Sequence, residues 1–246
     1  MMARLTEVAA LFLSSNRVCG IRRFVMRLDN RLSLVASFVR RSSRVADIGT
    51  DHARLPIWLV KNGVCRSAIA TDIKAGPASI AMKNVDEAGL KSRISVRIGD
   101  GLQPILPDEV DDIVIAGMGG ETIAGIINSA DWLKNPRCRL ILQPMTKRDR
   151  LLKELLTAGF AIIDERVSKD GDKLYSVICS EYDPDAASAQ IKRPAAFIKG
   201  GLDPCRDREY LIKQKSRLLK AAAGLEKSGK TDEAAKLLKL AGEMFE

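Results

Sequence analysis

The chain is short of the residues from which many active sites are built. It has one histidine, His52, and five cysteines, Cys19, Cys65, Cys138, Cys179 and Cys205, with no C-x-x-C pair among them. No Cys/His cluster has zinc spacing, so no metal is expected. An odd, scattered set of thiols fits a reducing compartment, and a cytoplasmic protein is the expectation. No stretch approaches the roughly 20 apolar residues that cross a bilayer, so no membrane partner is expected either. The G-x-G-x-x-G dinucleotide fingerprint is also missing. What is present is ordinary for a globular protein: 246 residues, 46% hydrophobic and 29% charged. Disorder throughout, a collagen-like repeat and a disulfide scaffold are excluded, and one domain of about 150 to 200 residues plus a small appendage fits the length.

Forty Lys and Arg against 31 Asp and Glu leave a formal charge of +9. Its distribution says more than its size. Residues 1–44 carry 9 basic and 2 acidic groups, residues 45–185 carry 18 and 21, and residues 186–246 carry 13 and 8. A mildly acidic centre between basic flanks points to a polyanionic partner gripped from the periphery, because clustered Lys and Arg displace counterions from phosphates. Solubility charge on exposed helices is the competing explanation.

Residues 1–25 read as an N-terminal extension ahead of a folded domain that opens at Met26. Their arginines and single acid, Glu7, are also compatible with an organellar transit peptide, while Val8 to Leu13 is short for a secretory segment. Leu28, Leu32, Val35 and Val39 then recur at helical spacing, with Arg27, Arg31, Arg40 and Arg41 left to water or phosphate. Seven short apolar runs follow: 44–48, 67–72, 94–98, 112–116, 139–143, 161–167 and 173–179. Helical patterns at 55–61, 77–88, 121–128 and 147–158 separate most of them. Strands alternating with helices predict βαβ crossovers and a mainly parallel sheet covered on both faces. Only 168–172, containing Asp170-Gly171, separates the last two strands, so these form an antiparallel hairpin.

The domain is expected to end at 182. Residues 183–205 show no clear period and read as a partly ordered linker. Beyond them Leu211, Leu218 and Leu225 recur every seven positions, and Ala234, Leu237, Leu238, Ala241 and Phe245 form a second apolar stripe. Ser228-Gly229-Lys230-Thr231 between the stripes supplies a glycine stop and a threonine cap. The prediction is an antiparallel coiled-coil hairpin carrying Lys213, Lys215, Arg217, Lys220, Lys227 and Lys230 on its outside. It is either an RNA-gripping arm or a packing and oligomerisation arm, in a protein expected to be a monomer or weak dimer.

In an open parallel sheet ligands bind beyond the carboxyl ends of the strands. The first strand ends in Asp47-Ile48-Gly49-Thr50-Asp51-His52. Asp51 stands where a second fingerprint glycine would fall, which disfavours a pyrophosphate and suits a cationic sulfonium donor. The second strand ends at Asp72-Ile73, 25 residues after Asp47, where a carboxylate can accept both ribose hydroxyls of an adenosine cofactor. The third ends in Gly99-Asp100-Gly101, where Asp100 can accept an adenine amino group. The fourth and fifth run into Gly117-Met118-Gly119-Gly120 and Gln143-Pro144-Met145, where a transferable methyl group meets its acceptor. Each carboxylate alone could be a helix cap; three at consecutive strand ends argue for a ligand.

Seven strands with a terminal antiparallel hairpin are the order of class I methyltransferases. The strings VADIGTDHARLP, ATDIKAGP, GLKSRISVRIGDGL, DDIVIAGMGGETI, LILQPMT and DGDKLYSVI together resemble the bacterial tRNA (adenine-22-N1)-methyltransferase family over roughly residues 28–179. The resemblance implies an α/β class I (Rossmann-like) methyltransferase with a seven-stranded mainly parallel sheet, S-adenosyl-L-methionine as cofactor, tRNA as partner, and a helical arm that helps hold it. By position it implies Asp47, Gly49, His52, Asp72, Ile73, Asp100, Gly101, Gly117 and Met118 around the donor. Gly119, Gln143 and Pro144 face the base, and Lys213 and Lys220 contact tRNA. Met145 stands where family members often carry Asn. Adenine N1 has its own lone pair, so no base is required, and Asp51 is the candidate catalytic residue through its negative charge. Action on another RNA, a protein or a small molecule, or a non-catalytic RNA-binding module with a vestigial pocket, remain the alternatives.

Overall fold

In the computed structural model, which describes residues 27–193 and 196–245, the chain alternates strands and helices from its first elements onward. They are α1 (Asn30–Phe38), β1 (Arg44–Ile48), α2 (Arg54–Lys61), β2 (Ser67–Asp72), α3 (Ala75–Glu87), β3 (Ile94–Ile98), β4 (Asp112–Gly119), α4 (Gly120–Asn128), β5 (Arg139–Thr146), α5 (Arg148–Thr157), β6 (Phe160–Asp170) and β7 (Lys173–Tyr182). Then come α6 (Pro184–Ile191), α7 (Ala196–Lys199), α8 (Arg208–Lys227) and α9 (Thr231–Glu243). The strands form one sheet in the order β3-β2-β1-β4-β5-β7-β6. The pairs among β1 to β5 are parallel, whereas β7 is antiparallel to both β5 and β6. The expected terminal hairpin is therefore present, and its second strand is inserted between β5 and β6.

Alternate residues of each strand face opposite sides, and the core follows that period. Ala46, Ile48, Ile113, Ile115, Leu140 and Leu142 pack under Ile123 of α4 and Leu151, Leu152 and Leu155 of α5. Val45, Ala68, Ala70, Val114, Ile141 and Val177 pack under Val35 and Phe38 of α1, Leu59 of α2 and Val85 of α3. Most of these side chains are fully buried, each worth roughly 1.5–3 kcal/mol for the larger aliphatics.

Some expectations are corrected. The stretch read as a linker is partly helical: Asp183 caps α6 by accepting from Ala186 N, Pro184 fills its first turn, and Ala187 lies in the core beside α5 and β6. Arg31 and Arg40 are half-buried and engaged by protein partners rather than left to water. Arg40 bonds the buried Asp112 carboxylate at 2.6 Å and the carbonyls of Asp111 and Arg137, closing the amino end of the sheet. Thr231 is the first residue of α9 and makes no side-chain cap. Lys215 lies over the Phe245 ring at 5.4 Å instead of on the outside of the hairpin. The expectations for residues 1–26 lie outside the described residues.

The α8–α9 hairpin stands on a small core of its own, Leu202, Tyr210, Leu211 and Met244, packed on Val167 of β6 and Leu174 of β7. A buried polar joint fixes it there. Arg148 makes two 2.5 Å bonds to the fully buried Glu165 and donates to the carbonyls of Ile198 and Lys199. Glu165 also accepts from Gly201 N, and Asp207 accepts from Val167 N.

Candidate active site

The loop after β1 is held in a tight, partly left-handed path. Gly49 (φ 70°), His52 (φ 56°) and Ala53 (φ 57°) all have positive φ. For the two non-glycine residues this costs about 1–2 kcal/mol each, and such strain concentrates at functional loops. Thr50 N bonds Thr71 O at 2.8 Å, and Asn84 of α3 donates to His52 O at 2.9 Å, so the strained path is tied to two neighbouring elements. At Gly49 a Cβ would lie 2.2 Å from Met118 Cε, the tip of a flexible side chain that would have to turn aside, and the positive φ itself favours glycine there.

Asp47 is buried and accepts from Thr50 Oγ1 at 2.5 Å. Burial pushes its pKa up to about 6; the Thr50 hydroxyl opposes the rise, the Asp51 charge adds to it, and Arg31 opposes it. Arg31 reaches the site from α1: its Nη1 donates to Gln143 Oε1 at 2.8 Å, and Gly117 N donates to the same oxygen at 3.1 Å. A cavity of about 250 Å³ opens between these groups, lined by Arg31, Asp47, Gly49, Asp51, Arg54 and Gly117, with Leu32, Leu55 and Ala116. Two carboxylates, two guanidiniums and two glycines thus meet at the carboxyl ends of β1 and β4, where a doubly wound sheet places its ligand. Larger hollows exist, but none has this position.

Of the sequence-predicted residues, Asp47, Gly49, Asp51 and Gly117 line the cavity, and the Met118 side chain packs beside Gly49. His52 is partly exposed at the rim, with Nδ1 3.6 Å from Asp51 Oδ1. Asp72 gives one oxygen to Lys74 N, and exposed Ile73 follows it. Gly99 N bonds Asp72 O, which sets exposed Asp100 and Gly101 (φ 53°) beside the β2 end along the same rim. Gly119 stands against Thr146. Gln143, expected to face the base, is fully buried: its oxygen is taken by Arg31 and Gly117, and its nitrogen donates to Pro144 O and Met145 Sδ. With both ends occupied, it orients Arg31 and the β4 turn and does not present itself to a ligand. Pro144 is buried beside it. Lys213 and Lys220 lie on α8, outside this cavity.

A model of the methyltransferase domain family matches residues 28–178. The tRNA (adenine(22)-N(1))-methyltransferase of Bacillus subtilis (strain 168) is 40% identical over 176 residues, covering 71% of this chain and 74% of that protein. The chain belongs to this methyltransferase family. The crystal structure of the B. subtilis m1A22 tRNA methyltransferase TrmK matches with a TM-score of 0.80 and 33% identity, covering 90% of this chain and 100% of that one. A putative tRNA (m1A22) methyltransferase of Streptococcus pneumoniae, solved in complex with S-adenosyl-L-methionine, matches with a TM-score of 0.74 and 34% identity over 89% of this chain and 100% of that one.

In this methyltransferase, the two charged cavity residues Arg31 and Arg54 escaped the sequence reading. Arg31 looked like a solvated arginine on an amphipathic helix, and its partner Gln143 is 112 residues away. Arg54 opens α2 immediately after the strained turn; its place one helical step past the D-x-G-x-D-H segment was the available signal.

Proposed function

We propose that the chain transfers the methyl group of S-adenosyl-L-methionine to N1 of the adenine at position 22 of tRNA. The observation that carries this reading is the cavity at the β1 and β4 tips, where buried Asp47 and exposed Asp51 flank bare backbone at Gly49 and Gly117. The donor set fits a zwitterionic, sulfonium-bearing ligand. Ionised Asp47 attracts its positive charge, Arg31 its carboxylate, and the absent Cβ atoms admit its bulk. At about 250 Å³ the cavity is below the roughly 300–1,000 Å³ of small-molecule pockets. It holds the methionine portion, while the adenosyl portion lies along the open rim, with Asp72 at the ribose and Ile73, Asp100 and Gly101 at the adenine. Bound there, the cofactor supplies an electrophilic methyl group.

The protein's own contribution is placement and charge. Gly117, Met118 and Gly119 border the space between donor and base, and Gln143 keeps Arg31 and Gly117 N in register from behind. Asp51, more exposed than Asp47, stabilises the positive charge that develops on the base, and His52 contacts the donor without acting as a base. Residues 26–182 carry the transfer, and the arm within 183–246, with Lys213 and Lys220, holds the tRNA. Exposing a base inside folded tRNA costs a few kcal/mol, which phosphate contacts from the basic arm offset. The reading has a monomer or weak dimer at work in the cytoplasm and involves no metal; among the described residues, no helix is long and apolar enough to cross a membrane.

The test is to incubate unmodified tRNA with the protein and methyl-labelled donor, digest, and map the labelled nucleoside. Label in 1-methyladenosine at position 22 is expected. Label elsewhere, or none with the donor demonstrably bound, overturns the assignment.

A further inference from the structure

The cavity at the β1 and β4 tips brings together four charged side chains, and three of them have neighbours in the protein that answer them. Asp47 accepts from Thr50 Oγ1, Asp51 Oδ1 lies 3.6 Å from His52 Nδ1, and Arg31 donates to Gln143 Oε1 with Asp29 3.8 Å away. Arg54 differs from them. It lines the same cavity and is half-buried, yet its guanidinium makes no hydrogen bond or ion pair among the described residues. Asp51 is only three residues earlier and its carbonyl accepts from Arg54 N at 3.1 Å, but the Asp51 carboxylate leans toward His52 instead.

The place is unfavourable for a cation. Arg54 is the first residue of α2, whose left-handed cap, Ala53, gives no side-chain bond and whose first turn holds no acid. A positive charge there opposes the helix dipole, and a half-buried charge without a partner loses water with nothing in return. An anion that arrives with a ligand resolves both. The charges of the donor say which anion it is. Its methionine end carries two cationic centres, the ammonium and the sulfonium, and one carboxylate. Asp47 and Asp51 match the two cations. Of the two guanidiniums, Arg31 already gives a nitrogen to Gln143, whereas the whole planar fork of Arg54 is open. A fork of that shape grips a carboxylate through two parallel bonds.

We propose that Arg54 clamps the carboxylate of the donor's methionine end, with Arg31 adding charge beside it, and that this makes the protein selective for donors that retain the carboxylate. The inference rests on the donor reading above and names the side chain that recognises one end of that molecule. An adenosyl sulfonium lacking the carboxylate leaves Arg54 without a counter-charge in the cavity, so the site disfavours it although its methyl group is equally transferable.

The experiment is calorimetry on the full chain with three ligands: S-adenosyl-L-methionine, S-adenosyl-L-homocysteine, which keeps the carboxylate but not the sulfonium, and decarboxylated S-adenosylmethionine, which keeps the sulfonium but not the carboxylate. Each is titrated into wild type, Arg54→Ala and Arg54→Lys. Arg54→Ala is expected to lose about 10- to 100-fold in affinity for the first two ligands, the worth of hydrogen bonds to a charged group, and to bind the decarboxylated donor as well as wild type does or better. Arg54→Lys keeps the charge without the fork and should recover part of the loss. Thermal melting without ligand should place Arg54→Ala level with wild type or above it, because an uncompensated cation has been removed. In methylation assays the variant should show a raised KM for the donor with kcat nearly kept. Equal losses for all three ligands, or no loss for any, would overturn the proposal. So would unchanged donor affinity combined with a flatter salt dependence of tRNA binding, which would assign the guanidinium to a phosphate. Wild-type protein that binds none of the three ligands would instead overturn the donor reading beneath it.

Discussion

Replacing Asp47 with Asn should make the protein more stable and less able to bind its donor. The folded chain holds a proton on Asp47 up to about pH 6, whereas the unfolded chain releases it near 3.8. Between those values the folded state binds more protons, so the site's contribution to stability is fully present below pH 3.8 and is lost as pH rises through 6. Above that, keeping the buried carboxylate ionised costs about 3 kcal/mol, at 1.36 kcal/mol for each pH unit of the shift. Asn avoids this cost and can still accept from Thr50. Urea denaturation should therefore place Asp47→Asn up to about 3 kcal/mol above wild type at pH 7.5, with an unchanged m-value, and the gap should close toward pH 4. Calorimetry should show the opposite preference for the ligand. Wild-type affinity for S-adenosyl-L-methionine rises as pH approaches 6 and then levels, and the variant binds weakly at every pH. A variant less stable than wild type at pH 7.5, or a stability gap independent of pH, would refute the reasoning.

Asp51→Asn should lower kcat about tenfold with donor affinity nearly unchanged, as measured by single-turnover methylation beside calorimetry; unaltered turnover would remove Asp51 from the chemistry. Glu165→Ala leaves Arg148 buried without its counter-charge and Gly201 N unpaired, so chemical denaturation should register a loss of about 3–5 kcal/mol. A loss below 1 kcal/mol would mean that water replaces the carboxylate. Gly120→Ala drives a Cβ to 2.4 Å from the Lys147 carbonyl, a backbone atom that cannot turn aside. Its thermal melt should show about 1–3 kcal/mol of destabilisation, and a neutral result would show that the β4–α4 and β5–α5 turns can slide past each other.

The sheet was readable because its strands are short apolar runs bounded by polar turns; β1, β2 and β3 fall where those runs do. β4 and β5 run further than their runs, through Gly117–Gly119 and Pro144–Thr146. Pairing between these two tails, with register shifts at Met118, exists only once both strands are placed. Helix α6 was missed although Asp183-Pro184 is a cap followed by a first-turn proline; the lack of a strong apolar stripe outweighed that signal. In the site, the acidic strand ends could be located from sequence because they follow the strands directly. Arg31 and the full commitment of Gln143 could not, since each depends on a contact between α1 and β5 that no local pattern encodes.

The joint made by Arg148 and Glu165 carries a consequence for substrate choice. It bolts the foot of the arm to β6 through charge and main-chain carbonyls together; on the function proposed above, the arm then serves as a gauge rather than a tether. In that role, the span from its basic flank to the proposed methyl-transfer pocket is set before any RNA arrives. Selection of one nucleotide within a folded RNA can then be made by measuring distance, leaving the identities of neighbouring bases free to drift.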